Sequence, residues 1–486
     1  MEDYGFFSSS SLYNESSFFI LRKVCTNIRE LAIIEEYYLF IYCRKGDPNL
    51  SITVAKFGGT SLANGSQFKK VYEIIKNDPS KKYIVPSAPG KESKEDTKIT
   101  DLLYLLYDLS SHGISYNDVF SMFKDRYSRI CQEINLDLDL DPYFDEIEES
   151  IKNKASRDYI SSRGEYLNGI LLSKYLDIPF VDAKDVMIFK KPHVLDEEKT
   201  YKALGKIRET YDQAVIPGFY GALKNGEITT FSRGGGDLSG AIVARGVGAD
   251  LYENWTDVSG FLAADPKLIK NPNHIEEISY AELRELSYMG ASILHDEAIF
   301  PVISQGIPIA IKNTNAPEDL GTRIVPQSKN VKGTSEITGI AGRQGFSVIN
   351  IEKIRMNRDL SFHRKVFSIL EANDIYVEHI PSSIDSLSLI VKDDDLQGKK
   401  SRVISEIKTL CNPDRVHFVS NISLIAVVGQ NMKNHIGTSA KLFTALAQAK
   451  INIQMITQGS SELNIIVGID TDDFDPAIQA IYKAFF

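Results

Sequence analysis

Cysteine is scarce in this chain: its 486 residues hold four, Cys25, Cys43, Cys131 and Cys411, far apart and without a CxxC pair. That argues against a disulfide framework or a zinc site and fits a reducing cytoplasm. Long apolar runs are missing too. Nothing approaches the roughly 18–20 apolar residues that a membrane span needs. The chain opens with Glu2 and Asp3, and its first apolar stretch is interrupted by Arg22, Lys23, Arg29, Glu30, Glu35 and Glu36, so it does not read as a signal peptide. Positive charge is in deficit. The 55 Lys and Arg against 65 Asp and Glu give a net charge of −10, which argues against nucleic acid as a general partner. An anionic substrate would have to find its cations locally.

What is present is a globular composition, 43% hydrophobic and 25% charged, in a chain long enough for about two to four domains. Residues 1–50 read either as an amphipathic helix over 17–43 or as a poorly ordered extension, and no role is assigned to them. From residue 51, strand-like runs alternate with helical ones. "SITVAKF" is followed by "GSQFKKVYEIIKN", with Phe68, Val71, Ile74 and Ile75 on one face. "KKYIVPSA" reads as the next strand, and a helix should start near Thr97 or Thr100 and end before Gly113. "SSRGEYLNGILLSKYLDIPFVDA" reads as helix then strand, and "AVIPGFYGALKNGEITTF" as two strands about an Asn225-Gly226 turn. The alternation predicts an α/β domain with a mainly parallel sheet and helices on both faces.

Past Thr322 the texture changes to a polar stretch with Pro326 and Gly333 that reads as a linker. Beyond it lies an internal repeat: residues 360–391 align without gaps on 436–467, with identities that include Lys365/Lys441, Phe367/Phe443, Leu370/Leu446 and Leu387/Leu463. Each copy is a helix followed by two strands, and "FSVINIEKI" and "NISLIAVVG" add a strand before each. Two tandem βαββ units are predicted, a paired module of the kind that binds something between its halves.

Three stretches carry candidate chemistry. In "KFGGTS" (56–61) a strand ends in Gly58-Gly59 beside Lys56, so bare amides and one cation meet at the carboxyl end of a sheet. That suits a phosphate, although an ordinary strand-to-helix turn reads the same way. In "TTFSRGGGDLSGA" three glycines stand between Arg233 and Asp237. They read as close approach of a ligand to a helix start or as a loose surface loop, with Arg233 suited to a carboxylate and Asp237 to an ammonium. "SRGE" (162–165) adds Glu165 at an expected helix start, where an exposed, salt-bridged first turn is the plainer reading. In "YENWTDVSGFLAADPKL" a strand ends at Thr256-Asp257, and the single tryptophan, Trp255, reads best as core.

Together "KFGGTS", "VPSAPGK", "KITDLL", "SRGEYLN", "PGFYG", "RGGGD", "WTDVSGFLAADP" and "GASILHDEA" resemble, in order, the aspartate kinases of the amino acid kinase superfamily, and the βαββ pair resembles their ACT regulatory domains. The resemblance covers residues 51–486. It implies a catalytic domain over 51–325, a linker over 326–336 and ACT units over 337–411 and 412–486, with strands open to exchange between the two. It implies an ATP- and Mg²⁺-dependent kinase of L-aspartate serving lysine, threonine and methionine synthesis, monofunctional because the chain stops at Phe486 after the second repeat. Carried over by position, Lys56, Gly58, Gly59 and Ser61 would surround the ATP phosphates. Thr256, Asp257 and Lys267 would contact the nucleotide, and Thr100, Glu165, Arg233 and Asp237 the amino acid. Lys56 and Asp237 would be the catalytic pair, and no protein ligand set for a metal is expected. This chain departs from the common pattern at Gly236, Ser259, Leu262, Lys267 and Ser292, which bears on the adenine side.

For the tail the resemblance implies a homodimer through the ACT units and feedback by lysine or threonine, with Asp359, Phe362, Val377 and Glu378 as contacts. Phe362 and Val377 read equally well as core, and Asp359 as a helix cap. Kinases of N-acetylglutamate, glutamate or uridylate, and a catalytically silent amino-acid sensor, are the rival readings.

Overall fold

A computed structural model describes residues 51–232, 234–291, 294, 296–326, 336–433 and 435–486. The expectations for residues 1–50, for Arg233 and Ser292, and for most of the linker lie outside the described residues. In Thr53–Phe57 (β1) all five side chains are buried, as befits a strand covered on both faces. It shares a seven-stranded sheet with Lys81–Pro86 (β2), Ala214–Val215 (β3), Leu251–Thr256 (β4), Glu277–Ser279 (β5), Ile309–Asn313 (β6) and Thr322–Val325 (β7). The order is β5-β7-β6-β4-β1-β2-β3. Pairing is parallel throughout except where β7 meets β6. The expected α/β architecture is the one that forms.

Helices cover both faces: Gly65–Lys76 (α1), Ile99–Ser111 (α2), Asn117–Glu133 (α3), Asp141–Lys152 (α4) and Arg157–Leu176 (α5), then Glu197–Thr210 (α6), Gly235–Gly246 (α7) and Tyr280–Tyr288 (α8). The period-2 alternation of β1 divides the core between them. Ala55 and Phe57 join the cluster under α1–α5, and Val54 joins the one under α6–α8. Lys56 therefore points toward α7, and this places the site. The hairpin Tyr220–Leu223/Ile228–Thr230 turns at Gly226 as expected, but it joins a separate four-stranded sheet.

One expectation is corrected. The "SRGE" segment does not begin a helix. Ser156 caps α5 by accepting from the Tyr159 amide, so the helix starts at Arg157, five residues before Ser162, and Arg163 and Glu165 are buried in its second and third turns. Arg163 stacks over the rings of Tyr159, Tyr166 and Tyr220, which accounts for it as a structural residue.

The tail forms one six-stranded antiparallel sheet. Its elements are Gly339–Glu352 (β8), Phe362–Ala372 (α9), Val377–His379 (β9), Ser386–Lys392 (β10), Lys400–Cys411 (α10), Arg415–Val428 (β11), Thr438–Gln448 (α11), Ile453–Thr457 (β12), Asn464–Asp470 (β13) and Phe474–Phe485 (α12). The strand order is β9-β10-β8-β11-β13-β12. The two long strands, β8 and β11, serve both units. Ile340 at the start of β8 packs in the second unit's core and Ile349 and Ile351 at its end in the first's, while β11 does the reverse with Val416 and Ile425.

Candidate active site

The side chain of Lys56 is held at its tip. Its Nζ lies 2.5 Å from Asp237 Oδ1 and 3.4 Å from Asn254 Oδ1, and Asn254 Nδ2 donates to the same Asp237 oxygen at 3.1 Å. Three elements meet here for a topological reason. Lys56 and Asn254 are register partners on adjacent parallel strands, and Asp237 lies in the first turn of α7, which packs across them. All three sit at the carboxyl end of the sheet, where open α/β folds bind ligands. Lys56 and Asn254 are 7% and 4% exposed, so the charge pair is poorly screened.

The glycines of the two turns serve close approach. Gly234 takes a left-handed φ of +58° as the residue before α7. A Cβ on Gly236 would sit 2.9 Å from Ser87 Oγ and 3.5 Å from Lys56 Cε. A Cβ on Gly59 would meet the Ala88 carbonyl at 3.0 Å, because the Gly90 amide donates to Gly59 O at 2.8 Å. The turn after β1 and the loop after β2 are thus locked together. Arg126 on α3 braces that loop, donating to Gly90 O at 3.0 Å and to both oxygens of Asp96 at 2.7 and 2.6 Å.

Glu165 faces this loop from α5. Burial raises its carboxyl from the ordinary 4.5 to about 7, offset in part by the Ala88 amide, its own amide, Arg163 and Lys56. A carboxyl so placed calls for a cation to stabilise its charged form. Thr100 is the second residue of α2, whose Ile99 abuts Gly164, so Thr100 stands at the same end of α5.

The other expected contacts are placed differently. Ser61 is buried, its hydroxyl donating to the Trp255 carbonyl at 3.3 Å and accepting from Thr314 at 2.7 Å. Thr256 ends β4 beside the exposed Asp257, to which its hydroxyl donates at 3.2 Å, so both lie at the sheet's rim. Lys267 is exposed on a loop whose neighbours Leu268 and Ile269 pack into the second βαββ unit. Trp255 is core, stacked with Phe57.

The family model for the amino acid kinase family matches residues 51–313, and an ACT-domain model matches 425–485. Aspartokinase 3 of Bacillus subtilis is 39% identical over 450 residues, which span 89% of this chain and 98% of that protein. The chain belongs to the aspartokinase family. Among solved aspartokinases, that of Clostridium acetobutylicum is 51% identical, covers 90% of this chain and 99% of its own, and superposes with a TM-score of 0.83. Escherichia coli aspartokinase III in complex with lysine and aspartate, at 24% identity and a TM-score of 0.68, is alike in fold. Among the residues that the structure gathers around this cluster and its loops, Asn254, Asn168, Ser87 and Arg126 carry no motif signal of their own. Asn254 lay in plain view in "YENW", and Asn168 ends "SRGEYLN".

The regulatory candidates divide. Phe362 is fully buried among Val366, Ile369 and Leu370 and is core. Val377 is partly buried against the same cluster. Asp359 takes Lys353 at 2.7 Å and the Ser361 amide at 3.1 Å, a cap-like role; the Lys353 hydrogen bond is the largest cause holding its carboxyl down at about 2. Glu378 pairs with Lys392 at 2.7 Å and accepts from the Tyr288 hydroxyl of α8, so it touches the catalytic body.

Proposed function

We propose that this chain transfers the γ-phosphoryl group of ATP to the side-chain carboxylate of L-aspartate. A carboxylate oxygen bonds to the γ-phosphorus, the bond from that phosphorus to the β-bridging oxygen breaks, and ADP leaves with the electron pair. The observation that carries this reading is the Lys56–Asp237–Asn254 cluster set between two glycine turns at the carboxyl end of a parallel sheet. The attacking carboxylate is already ionised at neutral pH, with a reference pKa near 3.9, so no general base is required. Positioning and charge neutralisation must then supply the catalysis. Lys56 stabilises charge on the transferring oxygens, and the amides of 58–59 and 234–236 add fixed dipoles. Asp237 holds Lys56 in place and, with Glu165 and Thr100, borders the amino-acid side; Arg233 is assigned to the substrate α-carboxylate.

Among the described residues no group of three or more His, Cys, Asp or Glu side chains is placed to hold a metal. Asp237 is the carboxylate in reach, and Mg²⁺ is commonly held by one or two carboxylates with phosphates and water, so the residues fit an ion that arrives with the nucleotide. Bound there, it would neutralise phosphate charge. Gly58, Gly59, Ser61, Thr256, Asp257 and Lys267 remain assigned to the nucleotide side, Ser61 through its backbone given its engaged hydroxyl.

The regulatory reading is feedback by lysine or threonine on a cytoplasmic homodimer joined through the ACT units, at the head of lysine, threonine and methionine synthesis. Asp359, Val377 and Glu378 are its contacts, with Phe362 supporting them from the core. Among the described residues no helix is long and apolar enough to cross a membrane.

The test is an ATP- and Mg²⁺-dependent assay that traps the acyl phosphate as its hydroxamate, run with aspartate, N-acetylglutamate, glutamate and UMP and then with lysine and threonine added. Turnover with aspartate is expected. Turnover with another acceptor would move the function within the superfamily, and no turnover with any would sink the enzyme reading.

A further inference from the structure

Glu165 and Asn168 stand three residues apart on α5, which places them on one face of the helix. Both are enclosed, at 5% and 0% exposure. Each commits one end of its polar head to the loop after β2: Glu165 accepts from the Ala88 amide, and Asn168 Nδ2 donates to the Ser87 carbonyl at 2.6 Å. Each keeps the other end unpartnered, because Glu165 Oε2 and Asn168 Oδ1 are buried acceptors without a donor. The amide cannot be turned round to relieve this, since the Ser87 carbonyl needs the nitrogen. Orphaned buried acceptors are costly, and two on one helix face call for a shared cause.

The neighbourhood supplies one. Ser87 Oγ faces Gly236, Gly236 lies against the Lys56 side chain, and the Lys56 charge bears on Glu165. The pair therefore borders the chamber between the two glycine turns. Two acceptors, one of them anionic, suit a cationic group that only donates, and an ammonium with three N–H bonds is that group.

We propose that Asn168 is a specificity-determining residue of the acceptor site, its Oδ1 joining Glu165 Oε2 as a second acceptor for the α-ammonium of the amino-acid substrate. This rests on the reading that the acceptor is aspartate. It assigns Asn168 two jobs at once, fixing the Ser87 turn with its nitrogen and testing the substrate with its oxygen.

The probe is succinate, the same dicarboxylate without the ammonium. Its inhibition constant against aspartate is compared with the KM for aspartate in wild type, Asn168→Leu and Asn168→Ser, with the KM for ATP and the thermal midpoint measured alongside. Asn168→Leu should raise the aspartate KM at least tenfold while leaving succinate binding and the ATP KM within about threefold, the size expected for one lost hydrogen bond to a charged group. Asn168→Ser, too short to reach, should show the same selective loss and covers the case in which the leucine variant does not fold. If succinate and aspartate weaken alike, or neither changes, Asn168 is a structural residue and the proposal fails. A wild-type protein that does not turn over aspartate would overturn the reading of function itself, an outcome visible before any variant is made.

Discussion

The two βαββ units share one sheet and one topology, yet they stand on the catalytic body differently. The second is anchored. Tyr482 of α12 accepts from the Asn273 amide at 2.8 Å, Gln479 donates to Leu268 O at 3.4 Å, and Ala264 and Ile269 of the body belong to that unit's own core. The first unit meets the body through its edge strand, where Glu378 of β9 accepts from Tyr288, whose carbonyl in turn receives Arg343 at 3.3 Å, and through Phe346 and Ile390, which are buried in the body's own cluster. Exposed apolar side chains gather around this unit at Ile354, Leu360, Tyr376 and Ile384. Repetition of the sequence thus produced one unit whose helical core takes in body residues and one whose helical core, among the described residues, takes in none. A shared trait remains: the paired repeat positions Leu360 and Ile436 are 98% and 97% exposed, so neither unit draws that side chain into its core.

The largest expected effect lies outside both units and fixes the baseline. Lys56→Ala should lower kcat by about a thousandfold or more, because the removed charge acts on the transferring phosphoryl group. Effector binding, followed by calorimetry, should survive; its loss would mean that the chamber and the tail are one structure. Next come two matched core truncations. Phe474→Ala and Phe362→Ala should each cost about 3–5 kcal/mol of stability within their unit. The first should depress kcat as well, since the 264–273 loop loses its support, whereas the second should abolish the effector response and leave kcat within about twofold. Equal effects on kcat would break the distinction between the two units.

Glu282 sharpens it. This buried residue completes a capping box with Ser279 at the start of α8 and also accepts from Thr338 Oγ1 at 2.6 Å and the Gln430 amide at 2.7 Å, which brace the second unit. Glu282→Ala should lower the thermal unfolding free energy by about 1–3 kcal/mol, because several donors lose their acceptor together.

A pH series separates chamber from tail. Burial lifts Glu165 to about 7, whereas burial lowers His379 at the first unit's edge below its ordinary 6.5. Protonated Glu165 favours the fold, so its contribution is fully present below the unfolded value of 4.5 and is lost as pH rises through about 7. Aspartate binding should run the other way, the KM falling as pH rises through that range, and Glu165→Gln should flatten the profile. The smallest effect belongs to Tyr288→Phe, which should shift the half-inhibiting effector concentration a few-fold with kcat unchanged. An unaltered response would remove α8 from the path between the first unit and the chamber.

Much of this was legible in the sequence because it is local. Alternating patterns and the register of the repeats gave the layers, and glycine clusters marked both turns. What escaped depends on register between segments remote in the chain. Asn254 matters because β4 lies beside β1 with position 254 opposite 56, which no local pattern announces. Taken alone, "SRGE" reads as an exposed helix start, although the resemblance assigns Glu165 to the substrate; the Ser156 cap, six residues upstream, is the local signal that buries it. Phe362 shows the opposite limit, since an aromatic at a helix start looks the same whether it meets a ligand or its own core.

Each of β8 and β11 runs 14 residues, about 45 Å at the usual rise, as one continuous rail beneath both units. A duplicated module built on such rails cannot shed one copy. Removing either half would strip one of the two shared strands from the survivor, so in inheritance the pair is a single indivisible part, and variation in the tail must arise by altering loops and edges within it.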